Sequence, residues 1–284
     1  MMYLNPTTDT GFKKLFGNEH RKNLTISFLN SILERKQGEL IVKVSFRDTA
    51  NLPEIADKKK SFVDIYCTDE KDNHYIIEMQ VSPQKYFPER AQYYASFALA
   101  QQLNSGAKYD KLVPVIFIAV LDHILFTSQD AISHHFIMNA KTSDIVLKHL
   151  NFHFVELPKF HKKIDELKTD VDKWIFFIKN AETYEQVPQE LQNNKELVEA
   201  FHTLEKAQWT NAELENYIVE LDELGRDSRI EEAGFDRGIA KGQQEAKTNM
   251  AIKLLKKKTP EQEVADLTDL SLKEIDLIKK SLKK

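Results

Sequence analysis

Residues 61–81 read SFVDIYCTDEKDNHYIIEMQV, and two apolar-rich segments in this stretch flank the polar run 69–73. The β-branched and aromatic residues of both segments favour strands. The Asp and Asn residues between them favour a turn, because their side chains bond nearby backbone and tolerate left-handed dihedrals. The stretch therefore predicts an antiparallel hairpin whose turn is centred near Lys71.

This hairpin brings two acidic residues together. With the turn centred at Lys71, Asp64 lies opposite Glu78 or one diagonal step away, and directly opposite β-carbons are about 5 Å apart. Glu78 and Gln80 are two residues apart, so both leave the same face of the second strand. Neighbouring carboxylates in an apolar setting repel each other unless a proton or a cation intervenes, and their hard oxygens suit Mg²⁺ or Mn²⁺. The same pattern is also typical of Asp and Glu residues that lie on an exposed sheet face and form ion pairs with lysines.

Short motifs along roughly the first 160 residues share their order and spacing with a known family. They are Thr8-Asp9-x-x-Phe12-Lys13-x-Leu15-Phe16, Phe28-Leu29-Asn30-x-Ile32-Leu33, Asp64 followed by Glu78-x-Gln80, Arg90-Ala91-Gln92-Tyr93-Tyr94, Gly106-x-x-Tyr109-x-x-Leu112-x-Pro114-Val115, and Val155-Glu156-Leu157-Pro158-Lys159-Phe160. Together they resemble the recombination-promoting nuclease (Rpn)/putative transposase family, which belongs to the PD-(D/E)XK nuclease superfamily.

The resemblance implies a particular site and chemistry. Asp64, Glu78 and the carbonyl of Met79 would hold Mg²⁺, with Mn²⁺ as an alternative, and Asp9 would lie near them as a further catalytic residue. The substrate would be DNA. In the superfamily the third motif position is usually Lys, whereas Gln80 carries no charge, so its catalytic role would be to orient water or a ligand.

Two groups of candidates also have a simpler structural explanation. Thr8 or Asp9 would cap a short helical turn, a role that stays open beside the catalytic one. Lys58, Lys59 and Lys60 end a polar loop and would contact DNA phosphates, although runs of charge are more often only solvated.

A helix is predicted over residues 89–103, and it places Arg90 and Tyr94 one turn apart. Both are candidates for DNA binding, Arg90 toward a phosphate and Tyr94 beside it. The aromatic residues of this helix are equally suited to the core, which we prefer for Tyr93 and Phe97.

The order of predicted elements indicates the fold class. A helix at 18–35, a strand at 40–46, the hairpin, the helix at 89–103 and a strand at 112–121 follow one another. The last of these, LVPVIFIAVL, is a continuous apolar run typical of a strand buried on both faces. This order is the αβββαβ core, with a mixed sheet, of the superfamily that the motifs resemble, and the protein is expected to be α/β.

Beyond residue 160 charged residues are frequent, and the apolar residues recur at the spacing of a helix. We therefore expect a nuclease-like domain at 1–160, a helical region at 161–225 and a helical tail at 226–284. Gly225 is expected to end the third helix of the helical region. Gly234, Gly238 and Gly242 then recur every four residues, which favours equally a fraying linker and a close approach between helices, including helices of two chains.

The tail contains two capping-box patterns, at 259–262 and 271–274, each of which predicts a short amphipathic helix. The shared apolar face of these helices would consist of Val264, Leu267, Leu270, Ile275 and Ile278. A DNA-binding helix-turn-helix stays open, but the acids of the segment favour a helical hairpin for protein contact, including a homo-oligomer.

Composition limits the class of protein. The 284 residues include 40 basic and 44 acidic ones, for a net charge of −4, so any contact with DNA must come from a local patch. The single cysteine, Cys67, allows no internal disulfide and is best explained as a small buried residue in a cytoplasmic protein. The longest apolar run is about half the length that spans a bilayer, and no nucleotide-binding glycine motif occurs. We expect neither a membrane segment nor an organic cofactor. The lack of a Glu in metalloprotease position between His149 and His153, and the absence of paired cysteines, argue against zinc.

Three functions are compatible with these features. The favoured one is a Mg²⁺-dependent DNA endonuclease. The alternatives are a catalytically weak DNA-binding or recombination accessory protein, and an interaction scaffold assembled by its helical tail.

Overall fold

The computed structural model describes residues 3–49, 63–104, 106–257 and 259–281, without the side chains of 227–241 and 243. Contacts between Cα atoms divide the chain into Met1–Leu224, which we call the core unit, and Gly225–Lys284, the tail unit. The predicted domain boundary at residue 160 lies inside the core unit and stays a prediction.

A six-stranded sheet forms the centre of the core unit. Its strands are β1 (Val44–Phe46), β2 (Ile65–Asp69), β3 (His74–Gln80), β4 (Val115–Leu121), β5 (Ile132–Ile137) and β6 (Leu147–Glu156). Their spatial order is β1-β2-β3-β4-β6-β5. Strands β1, β2 and β3 pair antiparallel, β4 pairs parallel with both β3 and β6, and β5 pairs antiparallel with β6. The sheet is therefore mixed, as predicted.

The hairpin of β2 and β3 has the predicted register. Ile65 pairs with Ile77, which places position 64 opposite position 78. Asp69 closes the turn, because its carboxylate accepts hydrogen bonds from the backbone N–H groups of Lys71 and Asn73 at 2.8 and 2.9 Å. The register of the acids thus follows from the chemistry of the turn.

Helices cover both faces of the sheet. They are α1 (Asp9–Phe16), α2 (Lys22–Ile32), α3 (Phe87–Ala100), α4 (Asp170–Asn180) and α5 (Lys195–Leu204), and α6 (Asn211–Lys256) follows them in the chain. On one face, residues of α1, α2, α4 and α5 form a hydrophobic cluster with alternate residues of the sheet. On the other face, α3 packs in a second cluster with residues of β3 and β4. The order α2-β1-β2-β3-α3-β4 confirms the predicted αβββαβ core, to which β6 and the edge strand β5 are added.

Helix α6 differs from the prediction, because it runs through Gly225 instead of ending there. One glycine costs a helix about 1 kcal/mol relative to alanine, a small penalty in a helix of 46 residues. A Cβ at Gly242 would meet no atom of the described residues within 4 Å, so within that part of the chain no helix approaches closely there. Gly234 and Gly238 belong to the part of α6 whose surroundings are not described.

The tail unit contains α7 (Glu261–Thr268) and α8 (Leu272–Ser281) after the last turns of α6. Its small core consists of Ala251, Val264, Ala265, Leu270 and Ile275, with Ile278 packed against it. Leu267 is 53 % exposed, so its predicted place on the shared face is wrong.

Only one of the two predicted capping boxes forms in the tail unit. The hydroxyl of Ser271 accepts from the backbone N–H of Glu274, and the Glu274 carboxylate accepts from the Ser271 N–H at 2.8 Å. Helix α7 instead begins after Pro260 with no side-chain cap. Within the described residues, we find no helix with the length and apolar character needed to cross a membrane.

Candidate active site

The side chains of Asp64 and Glu78 lie at the end of the hairpin where β3 finishes. Asp64 immediately precedes β2, and its carboxylate accepts a 2.6 Å hydrogen bond from the backbone N–H of Met79. Glu78 is 1 % exposed. Its Oε2 atom is buried without a hydrogen-bond partner among the described residues. Glu78 therefore offers one acceptor oxygen for which the described protein supplies no donor.

Gln80 lies beside Glu78, as their spacing on β3 predicts. Its Nε2 donates to Oε1 of Glu78 at 3.0 Å and to the carbonyl of Met79 at 3.1 Å. Its Oε1 is buried, and no described residue pairs with it. The amide thus presents a second acceptor oxygen next to the carboxylates.

Arg90 reaches Glu78 from the first turn of α3. Tyr86 precedes this helix in a left-handed conformation, with φ of 65°. The guanidinium of Arg90 donates to Glu78 Oε1 at 2.5 Å and to the side-chain oxygen of Gln84. With its side chain 15 % exposed, Arg90 serves mainly as the counter-ion of Glu78.

Tyr94 lies one turn further along α3 and is fully buried in the second hydrophobic cluster. Burial raises the pKa of its hydroxyl to about 12, which Arg90 opposes and Glu78 reinforces. The preferred core role of Tyr93 is wrong, because this side chain is 52 % exposed. Phe97 does pack against the second cluster. Ala91, Ala95 and Ala98 share the buried face with Tyr94 at helical spacing, so Tyr93 points away from the sheet.

Helix α1 brings Asp9 and Lys13 to the hairpin. Thr8 caps this helix, since its hydroxyl accepts from the N–H of Gly11 at 3.1 Å, and Asp9 is left for other contacts. The ammonium of Lys13 lies 2.7 Å from Oδ1 of Asp9 and 3.6 Å from Oδ1 of Asp64. Lys13 is absent from the residues predicted for the site, although its i,i+4 spacing from Asp9 puts both on one face of the helix.

Burial is the largest influence on the two central carboxyl groups. It raises the pKa of Asp64 to about 7, with Asp9 adding to the shift and Lys13 opposing it. It raises the pKa of Glu78 to about 8 against the effect of Arg90. Asp64 also raises the pKa of Glu78, as expected for two acids in one site. A further cation at the site would therefore stabilise the ionised forms of both carboxyl groups.

The donor set suits a hard divalent cation. The described residues contain no group of three or more His, Cys, Asp or Glu side chains arranged to hold a metal. Mg²⁺ needs fewer, since proteins commonly hold it with one or two carboxylates and leave the other positions to water. Asp64, Glu78 and the carbonyl of Met79 fit this pattern, and the unpartnered Oε2 of Glu78 is the observation that supports it. Lys58, Lys59 and Lys60 lie outside the described residues.

A mixed α/β sheet with paired acids at the end of its central hairpin is the architecture of a PD-(D/E)XK nuclease. The sequence profile of the PD-(D/E)XK nuclease family transposases matches residues 6–233, and the chain belongs to this family. The match confirms the resemblance noted in the sequence and supports a nuclease- or transposase-like function. PD-(D/E)XK nucleases generally use divalent metals. No curated protein and no solved structure matches the chain.

Proposed function

We propose that this protein is a DNA endonuclease that depends on Mg²⁺, with Mn²⁺ as a substitute. The observation that carries the proposal is the buried pair of Asp64 and Glu78, whose charged forms are disfavoured and whose oxygens include one without a partner in the described protein. Family membership supports a nuclease.

Asp64, Glu78 and the Met79 carbonyl would hold the ion. When bound, such an ion lowers the pKa of water and neutralises charge on a phosphoryl group. Gln80, whose Oε1 is unpartnered among the described residues, would accept a hydrogen bond from the attacking water. In the reaction, the water oxygen forms a bond to phosphorus and releases a proton. The P–O bond to the sugar breaks, and its electron pair leaves with the sugar oxygen, which takes up a proton.

Other residues hold the site or the substrate. Arg90 fixes the orientation of Glu78, and we propose that buried Tyr94 supports Arg90 instead of stacking on a base. Lys58, Lys59 and Lys60 precede Asp64 in the sequence and remain our candidates for phosphate contacts. A local patch of this kind would be needed, given the overall charge of −4.

Plasmid nicking tests the proposal. With Mg²⁺, the wild-type chain should convert supercoiled DNA to the open circle, and Asp64→Ala or Glu78→Ala should slow this by about 100-fold or more, because each removes an oxygen donor of the site. Asp72→Asn is the matched control, since this acid is exposed on the turn of the same hairpin. Circular dichroism checks that each variant is folded. Unchanged rates in both alanine variants would refute the proposed site.

At position 80 this chain has Gln where the superfamily usually has Lys. This difference favours one alternative function, a protein that binds DNA but cuts it weakly. A mobility shift without nicking, at several concentrations of Mg²⁺ and Mn²⁺, would support this recombination accessory function. Absence of both activities would favour the interaction scaffold.

A further inference from the structure

Hydrolysis of a phosphodiester builds negative charge on the phosphoryl oxygens, and a positive side chain beside them stabilises that charge. Gln80 is neutral and cannot do this. The acids of the site are Asp9, Asp64 and Glu78. Among the described residues, the cations in contact with them are Arg90 and Lys13. Arg90 is largely buried and bonds both Glu78 and Gln84. The side chain of Lys13 is 39 % exposed, so a phosphate can reach it.

The position of Lys13 is fixed by the helix that carries it. Phe12, Leu15 and Phe16 of α1 are fully buried in the core, and they orient the helix. The opposite face then presents Asp9 and Lys13 to Asp64. An ammonium group has three donors, and contacts with two carboxylates leave one for a phosphoryl oxygen.

We propose that Lys13 is a catalytic residue whose ammonium contacts a non-bridging oxygen of the scissile phosphate and stabilises the charge that develops there. Asp9 is a positioning residue that holds Lys13 through the 2.7 Å ion pair. This assignment rests on the proposed function, because it adds a residue to that same site. The positive charge thus reaches the phosphate from α1 instead of from position 80 on β3.

A purely structural role for Lys13 makes different predictions. The side chains of Lys13 and Asp9 are 39 % and 48 % exposed, and a pair this exposed contributes at most about 1 kcal/mol to stability. The buried aromatic residues of α1, and not this ion pair, attach the helix to the core. A role only as counter-ion of Asp64 is also distinct, because Lys13 and a divalent ion would then compete for the same carboxylate, and Lys13→Met would bind the ion more tightly without slower nicking. The catalytic role predicts slower nicking with an affinity for the ion that is unchanged or tighter.

The first experiment compares wild type, Lys13→Met and the control Lys22→Met, a surface lysine paired with Glu19. In plasmid nicking with Mg²⁺, Lys13→Met should lower kcat by about 100-fold or more, while KM for DNA changes less than about threefold. Calorimetric titration of Mn²⁺ into the protein alone should give Lys13→Met an equal or lower Kd. Lys22→Met should match wild type in both measurements.

The second experiment returns an ammonium to the site from β3. Gln80→Lys, introduced into the Lys13→Met chain, should recover at least tenfold of the lost nicking, because position 80 adjoins Glu78, the acid opposite Asp64 on the hairpin. Wild-type nicking by Lys13→Met would overturn the catalytic role. So would weaker Mn²⁺ binding in proportion to lost nicking, which assigns Lys13 to organising the carboxylates. A folded double variant that binds Mn²⁺ without recovery would also count against it.

These outcomes separate the two proposals. Wild-type protein that neither binds Mn²⁺ nor nicks DNA overturns the proposed function, and the role of Lys13 falls with it. Wild-type protein that nicks DNA while Lys13→Met nicks equally well overturns the role of Lys13 alone.

Discussion

The carboxyl groups of Asp64 and Glu78 are held where a charge is poorly solvated. Glu78 is 1 % exposed, and its ion pair with Arg90 satisfies only one of its two oxygens. Burial of an acid in such surroundings stabilises its protonated form relative to the unfolded chain. In the metal-free protein, this arrangement must make stability depend on pH.

We predict that the free energy of unfolding of the metal-free protein falls as pH rises from about 4 to about 8. The folded pKa values, about 7 for Asp64 and about 8 for Glu78, lie above the ordinary values of 3.8 and 4.5. The stabilising contribution is therefore complete below about pH 4 and is lost as pH rises through 7 and 8. At about 1.4 kcal/mol per pKa unit, the loss is on the order of 4 kcal/mol for each of the two acids.

Denaturant unfolding with a chelator present measures this dependence. Glu78→Gln cannot ionise and keeps an acceptor for Arg90, so its profile should be flatter than that of wild type and cross it near neutral pH. A Glu78→Gln profile parallel to that of wild type would contradict the raised pKa.

The sequence predicts part of this site and misses part of it for a physical reason. Asp64, Glu78 and Gln80 are related by the register of one hairpin, and turn chemistry within a few residues determines that register. The contact of Lys13 with Asp64 joins residues about 50 positions apart in the sequence, and it depends on which face of α1 packs on the core. Local periodicity identifies the buried face of α1, but not which part of the fold its opposite, polar face meets.

At the scale of elements, the first turns of α6 hold α1 in place. The carboxylate of Glu220 accepts from the hydroxyl and the backbone N–H of Thr10 at 2.5 and 3.0 Å. Lys14 donates to Glu213 at 2.6 Å. The N–H of Thr10 is one of the donors that the start of a helix leaves unpaired, so Glu220 acts there as a charged cap. A helix far along the chain thus fixes the element that carries Asp9 and Lys13.

We predict that Glu220→Ala lowers the free energy of unfolding by about 1–3 kcal/mol, the usual range for losing hydrogen bonds to a charged group. Nicking should also slow, because α1 would position Asp9 and Lys13 less firmly. Glu223→Ala is the matched control, an exposed acid one turn further along α6. Chemical denaturation and the plasmid assay measure both effects. If Glu220→Ala were as stable as Glu223→Ala, α6 would not be the support of α1.

The elements themselves were predicted with uneven success. Strand β4 is buried at every position, so its continuous apolar run identifies it. Strand β5 lies at the sheet edge, and its last four residues are exposed. Because neither face of this part of the strand is buried, its sequence lacks the alternation of apolar and polar residues that would identify a strand. Helix α6 continues through Gly225 because a single glycine weakens a long helix without ending it.

At the scale of the whole molecule, the tail unit has little core of its own. Five buried residues, four of them on α7, α8 or the turn between them, form its hydrophobic cluster. Several large apolar side chains of the same unit are exposed by between 46 % and 65 %, namely Met250, Leu267, Leu272 and Leu277. Helices of this length are marginal alone in water, and exposed apolar residues favour burial against a partner.

We predict that the tail unit assembles the protein into a homo-oligomer and that truncation after Leu224 yields a folded monomer. The truncation keeps Glu213 and Glu220, which hold α1. Homo-oligomers are usually symmetric, so two nuclease domains joined through their tails could cut both strands of a duplex.

The truncated chain should nick supercoiled DNA but make fewer double-strand breaks than the full chain. Leu277→Glu in the full chain, at a site 65 % exposed, should likewise weaken assembly without unfolding the tail unit. Light scattering measures the mass of all three proteins, and a full-length chain that is monomeric at micromolar concentration would rule the assembly out.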